Sequence, residues 1–138
     1  MRIMAIDYGD AHTGIAISDP TGLLAGFTTV INSRRQEVVV EQVTLLAKEH
    51  GAEELVLGHP VNLDGTLGPR SEKAKAMKAL LEEATALPVV LWDERRTTID
   101  AHNILFNSGK NAKQRKKVVD AVAASLILEG YLTFKKSH

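Results

Sequence analysis

Three acidic points in this chain have neighbours that make a carboxylate expensive. Asp7 closes the apolar run Ile3 to Ile6, Asp93-Glu94 follows the β-rich run Leu87 to Trp92, and Asp120 sits among Val118, Val119, Ala121, Val122, Ala123 and Ala124. A carboxylate in apolar surroundings is costly unless it is paired or binds a metal. Several carboxylates brought together cannot all ionise unless a cation neutralises them. Hard oxygen ligands of this kind suit Mg²⁺ or Mn²⁺. Two such ions can activate a water and stabilise the leaving oxygen of a phosphodiester. Each acid also has a plainer role open to it. Asp7 could cap the following turn, Asp93 or Glu94 could pair with Arg95 or Arg96 at the surface, and Asp120 could pair with Lys116 or Lys117. Spacing along the chain does not decide between these.

Basic residues gather beside two of the acids. Lys110, Lys113, Arg115, Lys116 and Lys117 make five cations in eight residues, read as a basic linker ahead of the Asp120 helix. Arg95 and Arg96 follow Asp93-Glu94, and Arg34-Arg35 open an earlier helix. Such clusters would hold phosphates, with an affinity that weakens as salt rises. Arginine makes the bidentate phosphate contact, so Arg95 is the first choice. A solvated face of mixed charge is the alternative for the linker. The five histidines form no ligand set; His12 and His59 fall in expected loops that could face substrate. No P-loop and no Ser-Gly elbow are present.

The elements that must position these groups follow from periodicity. Ile3 to Ile6 is apolar at every position, as a strand covered on both faces must be, so it is expected at the centre of a sheet. Gly14 to Ser18 and Leu23 to Ile31 complete an antiparallel meander. Ser33 and Gln36 have capping-box spacing for a helix carrying Val39, Val40, Val43, Leu46 and Ala47, with Gly51 as its stop. Glu54 to Gly58 is a short buried strand reached by a crossover. His59 to Pro69 reads as a loop that could close over substrate. Pro69 opens a helix to about Thr85, with Ala74, Met77, Leu80 and Leu81 inward. After the strand at Leu87 to Trp92, a helix from Thr97 or Thr98 to Phe106 and a last helix from about Arg115 to Leu132 are expected. Val118, Val119, Val122, Leu126 and Ile127 form the inner stripe of that last helix. The order β-β-β-α-β-α-β-α-α implies a mixed five-stranded α/β sheet with helices on both faces, in one domain over 1–138. Parallel first and last strands would present Asp7 and Asp93 on one sheet edge.

Composition restricts function mainly by exclusion. The 17 basic and 17 acidic residues balance, so net charge names no partner. With no cysteine there is no disulfide and no thiolate metal site. No apolar run approaches the roughly 20 residues that span a membrane. The N-terminus enters strand pattern directly, without a secretory signal pattern. A cytoplasmic protein is expected.

These residues resemble the YqgF family, the Holliday junction resolvase-like proteins with an RNase H-like fold. Four blocks in order carry the resemblance: Ile6-Asp7-Tyr8-Gly9 with Gly14 to Asp19, Gly58 to Thr66, Asp93 to Thr98, and Arg115 to Ala124. The resemblance implies a metal-dependent nuclease, linked to trimming the 5′ end of precursor 16S ribosomal RNA or to cutting branched DNA. Asp7, the Asp93-Glu94 pair and Asp120 would then be the catalytic carboxylates around Mg²⁺ or Mn²⁺. Neighbours on a strand point to opposite faces, so one of the pair would ligate, with Asp93 the first choice. Arg95, Arg96, Lys110, Lys113, Arg115, Lys116 and Lys117 would contact nucleic acid. The chain departs from the family at Asp10-Ala11-His12, where Thr-Lys-Arg is usual, and at His59 and Arg96, where leucine is usual. The first departure removes a basic contact and adds an acid beside the site. Two further readings stay open. A strand-turn-strand of this type also opens sugar kinases and actin-like ATPases, but those need two such domains. The fold could also serve as a non-catalytic nucleic-acid or ribosome-binding module. A monomer or a homodimer is expected.

Overall fold

A computed structural model describes residues 2–19, 25–59, 69–93 and 112–137; for 25, 69–70, 93, 112–121 and 136–137 only the backbone path is described. The elements are β1 (Arg2–Tyr8), β2 (His12–Ser18), β3 (Ala25–Asn32), α1 (Gln36–His50), β4 (Ala52–His59), α2 (Pro69–Thr85), β5 (Val89–Asp93) and α3 (Ala112–Ser137). The helix expected from Thr97 or Thr98 to Phe106, and the loop positions 60–68, lie outside the described residues.

The sheet runs β3-β2-β1-β4-β5, so β1 is central as its unbroken apolar run demands. β1 pairs antiparallel with β2 and parallel with β4, and β4 is parallel to β5. The C-terminal ends of β1, β4 and β5 therefore share one edge.

Strand alternation divides the interior into two cores. Met4, Ile6, Ile15, Ile17, Leu55 and Leu57 face α1 and α2, where Val39, Val43, Ala47, Ala74, Met77 and Leu81 meet them. Ile3, Ala5, Ala16 and Val56 face the other way, against Ala124, Ile127, Leu128, Tyr131 and Leu132 of α3. Every residue of β1 from Ile3 to Ile6 is at most 2% exposed. Fully burying a side chain of this size stabilises by about 1.5–3 kcal/mol, so β1 supports both cores at once.

Three local expectations change. The helix α1 starts at Gln36 with Arg35 as its cap residue, which makes no side-chain cap bond. Ser33 is not the cap; its Oγ accepts the Arg35 N–H at 3.1 Å, an ST-turn before the helix. The basic stretch is no linker from Ala112 onward but the first turns of α3, since lysine and arginine are good helix formers. The inner stripe of α3 is also rotated: Ala124, Ile127, Leu128, Tyr131 and Leu132 are buried, while Val122 and Leu126 are only half-buried. Leu80 of α2 is 38% exposed, at the border of its stripe. Gly51 ends α1 as expected, in the left-handed region at φ 68° with its N–H donating to the carbonyls of Ala47 and Lys48.

The double role of β1 gives a direct test. Ile6→Ala should lower unfolding stability by about 2–5 kcal/mol. Leu45→Ala, at a position 53% exposed on α1, should change it by less than about 0.5 kcal/mol in the same urea titration.

Candidate active site

Asp7 is the penultimate residue of β1, one position past the buried run and half-buried itself. Its partner on β2 is Gly14. On β4, Gly58 is one step past the paired Ile6 and Leu57. Neither flanking position carries a side chain, so the carboxylate has room on both sides. Among the described residues, the Asp7 carboxylate has no hydrogen bond and no ion pair. A half-buried carboxylate left unpartnered in this way is open to a cation. The turn beside it is tight: a Cβ at Gly9 would collide with the carbonyl oxygen of His12. The Ser33 N–H donates to the Ala11 carbonyl at 3.0 Å and ties this turn to the end of β3.

The C-terminal turns of α3 are anchored on β4 and β5. Lys135 Nζ lies 3.2 Å from Glu54 Oε2, near the start of β4, and Gly130, Tyr131 and Phe134 pack on Trp92 near the end of β5. The helix also packs on β1, β2 and β3, so it crosses the sheet. Asp120 lies in its first half, in turns of which the backbone path alone is described. On β5, Trp92 packs against the core that holds Ile3 and Ala5, whose parity Asp7 shares. Asp93 pairs in register with His59.

A family model described as RuvX, Holliday junction resolvase, matches residues 1–134. The chain belongs to the RuvX family. A protein of Halothermothrix orenii named "Putative pre-16S rRNA nuclease" is 42% identical over 135 residues, covering 98% of this chain and 96% of its own length. A protein of Geobacillus kaustophilus with the same name is 40% identical over 138 residues, covering 99% of this chain and 100% of its own. Among solved structures, T. thermophilus RuvC in complex with Holliday junction substrate aligns with a TM-score of 0.66 at 14% identity, over 99% of this chain and 96% of that one. That likeness establishes the RNase H-like fold.

Within this RuvX-family chain His12 and His59 take structural places. His12 opens β2 and His59 ends β4, so neither lies in a loop. His12 Nδ1–H donates to Asn32 Oδ1 at 2.7 Å. His59 Nε2 shares a 2.6 Å hydrogen bond with the Oγ of Ser71, which is fully buried on α2. Among the described residues no three His, Asp or Glu converge as a metal site. The side chains of Asp93, Asp120, Lys113, Arg115, Lys116 and Lys117, and all of Glu94, Arg95, Arg96 and Lys110, lie outside those residues. No helix among the described residues is long and apolar enough to cross a membrane. Sequence reading misses Lys73, one of several cations on α2. Folding sets its Nζ 3.3 Å from Asp10 Oδ1, across 63 positions of chain.

The anchor of α3 has an electrostatic signature. Tyr131 is buried and its hydroxyl donates to the Glu54 carboxylate. Burial first, and the Glu54 charge second, push its phenol well above the ordinary value of 10.0. Lys135 completes the cluster, with Nζ 5.5 Å from the Tyr131 ring centroid. The folded state therefore holds the Tyr131 proton after the unfolded chain has released it. That stabilisation is complete below about pH 10 and fades as pH rises beyond it. Tyr131→Phe should cost about 1.5 kcal/mol at pH 8. The gap to wild type should narrow between pH 10 and 11 in urea titrations.

Proposed function

We propose that this protein is a divalent-metal-dependent nuclease that processes the 5′ end of precursor 16S ribosomal RNA. The reading rests on one observation above all: relatives bearing that name match this chain over nearly its whole length at about 40% identity. The Asp7 edge supplies a chemistry for it. Asp7, Asp120 and one acid following β5 would hold Mg²⁺ or Mn²⁺. Bound there, the metal would polarise the scissile phosphate and lower the pKa of an attacking water. Asp7 needs no rearrangement to serve, because no described residue competes for its oxygens.

Either Asp93 or Glu94, at and just after the end of β5, would supply the third ligand, with Asp93 the first choice. The cations Lys113, Arg115, Lys116 and Lys117 belong to the first turns of α3. With Arg95, Arg96 and Lys110 they would grip the backbone on either side of the cut. Cleaving one RNA strand needs one site, so a monomer suffices, and precursor rRNA implies a cytoplasmic enzyme. Symmetric cleavage of a four-way junction would need two sites and hence a dimer.

The test is cleavage of a labelled 16S precursor leader beside a synthetic four-way junction, with Mg²⁺ or EDTA. The leader should be cut with Mg²⁺ and not in EDTA. Asp7→Asn should lower the rate at least about 100-fold without loss of fold. Mg²⁺ at ten times its Kd should stabilise wild type by about 1.4 kcal/mol and Asp7→Asn by less. An Asp7→Asn protein that cuts at the wild-type rate would end this reading; preference for the junction would move it to branched DNA. Of Asp93→Asn and Glu94→Gln, the variant that removes the ligand should impair cleavage at least about tenfold more than the other does.

A further inference from the structure

On the other face of the same sheet edge lies a cleft of about 420 Å³, lined among the described residues by Tyr8, Asp10, Arg34, Gln36 and Lys73. Its volume is within the roughly 300–1,000 Å³ range of ligand sites. Three elements build it. Tyr8 follows Asp7 in β1 but, by alternation, packs against the α1–α2 core. Arg34 and Gln36 come from the entry to α1, and Lys73 from the first turns of α2.

The charges of the cleft are weakly committed. Arg34 is exposed and has no ion pair among the described residues. Its neighbour Arg35 differs, being taken by Glu37 at 2.7 Å. Among the described residues Lys73 pairs with Asp10, at 3.3 Å, with the two side chains 61% and 68% exposed. A long, exposed pair of this kind is weak and is screened by salt, so a stronger anion displaces it. Behind Tyr8, its cross-strand partner Thr13 is fully buried, with an Oγ1 that has no hydrogen-bond partner among the described residues. The cleft thus offers two available cations and the polar side chain of Gln36, beside a rim where Asp7 stands one residue away on the reverse face.

We propose that this cleft is a second phosphodiester subsite, in which Arg34 and Lys73 hold nucleic-acid backbone that has crossed the sheet edge, and Asp10 competes with that phosphate for Lys73. The proposal rests on the nucleic-acid reading above and adds a location to it. It gives Asp10 a role: this acid, standing where the family usually has a threonine before its basic pair, moderates affinity by occupying Lys73 in the free protein.

The test is binding of a labelled precursor leader by fluorescence anisotropy, in EDTA to prevent cleavage, from 50 to 200 mM salt. Arg34→Ala and Lys73→Ala should each weaken binding by about threefold to tenfold and reduce the salt slope by about one unit. Asp10→Asn should tighten binding in the wild-type background and do nothing in the Lys73→Ala background. With Mg²⁺, Arg34→Ala and Lys73→Ala should raise KM and leave kcat intact, as a uniform binding contact does. All three positions are exposed, and thermal melts should match wild type. If wild type binds the leader in a salt-dependent way and the two alanine variants do the same with unchanged slope, the subsite is refuted and the nuclease reading stands. An Asp10→Asn gain that persists without Lys73 refutes the competition. If wild type binds neither the leader nor a four-way junction, the nucleic-acid reading fails and the subsite fails with it.

Discussion

A strand covered on both faces has no place for a charge along its length. β1 is such a strand: Ile3, Met4, Ala5 and Ile6 fill two separate cores, and the nearest position where a carboxylate can be tolerated is where the strand leaves the interior. Asp7 stands there. Its location follows from the burial that makes β1 the central strand, and so does the absence of neighbouring bulk, because Gly14 and Gly58 flank it. The rest of the edge is arranged around that exit. Parallel pairing brings the ends of β4 and β5 to the same side.

The C-terminal turns of α3 have the opposite character. There Tyr131, Glu54 and Lys135 form a closed polar cluster, and Trp92 meets Tyr131 edge to face at 5.7 Å. These contacts hold the end of α3 on β4 and β5. This anchor is occupied with its own satisfied bonds, whereas the Asp7 carboxylate and Arg34 have no partner among the described residues.

Where the sequence was readable, the reason is local. Four consecutive apolar residues with no polar break admit only a doubly covered strand, and Pro69 opens α2 at its first position. The place of Asp7 at the end of β1 was legible for the same reason. Other features depend on pairing across the fold. Ser33 has cap spacing, yet it serves the turn before α1. The α3 start was hidden because a run of lysines suits both a linker and a helix. His12 and His59 looked like loop residues because their strands extend past the apolar runs. The facing of Asp93 requires knowing where β5 lies between two cores, and the pairing of Lys73 with Asp10 leaves no trace in spacing.

Gly130 lets α3 approach the sheet closely: a Cβ there would lie 3.4 Å from the Trp92 ring. That contact is also a pivot. Asp120 is ten residues away along a stiff rod, a lever arm of about 15 Å. A side chain at the pivot that tilted the helix by only about 4° would swing the Asp120 backbone by about 1 Å. The placement of the first half of α3 is therefore governed in part by a single hydrogen atom at Gly130, on the face that meets the sheet.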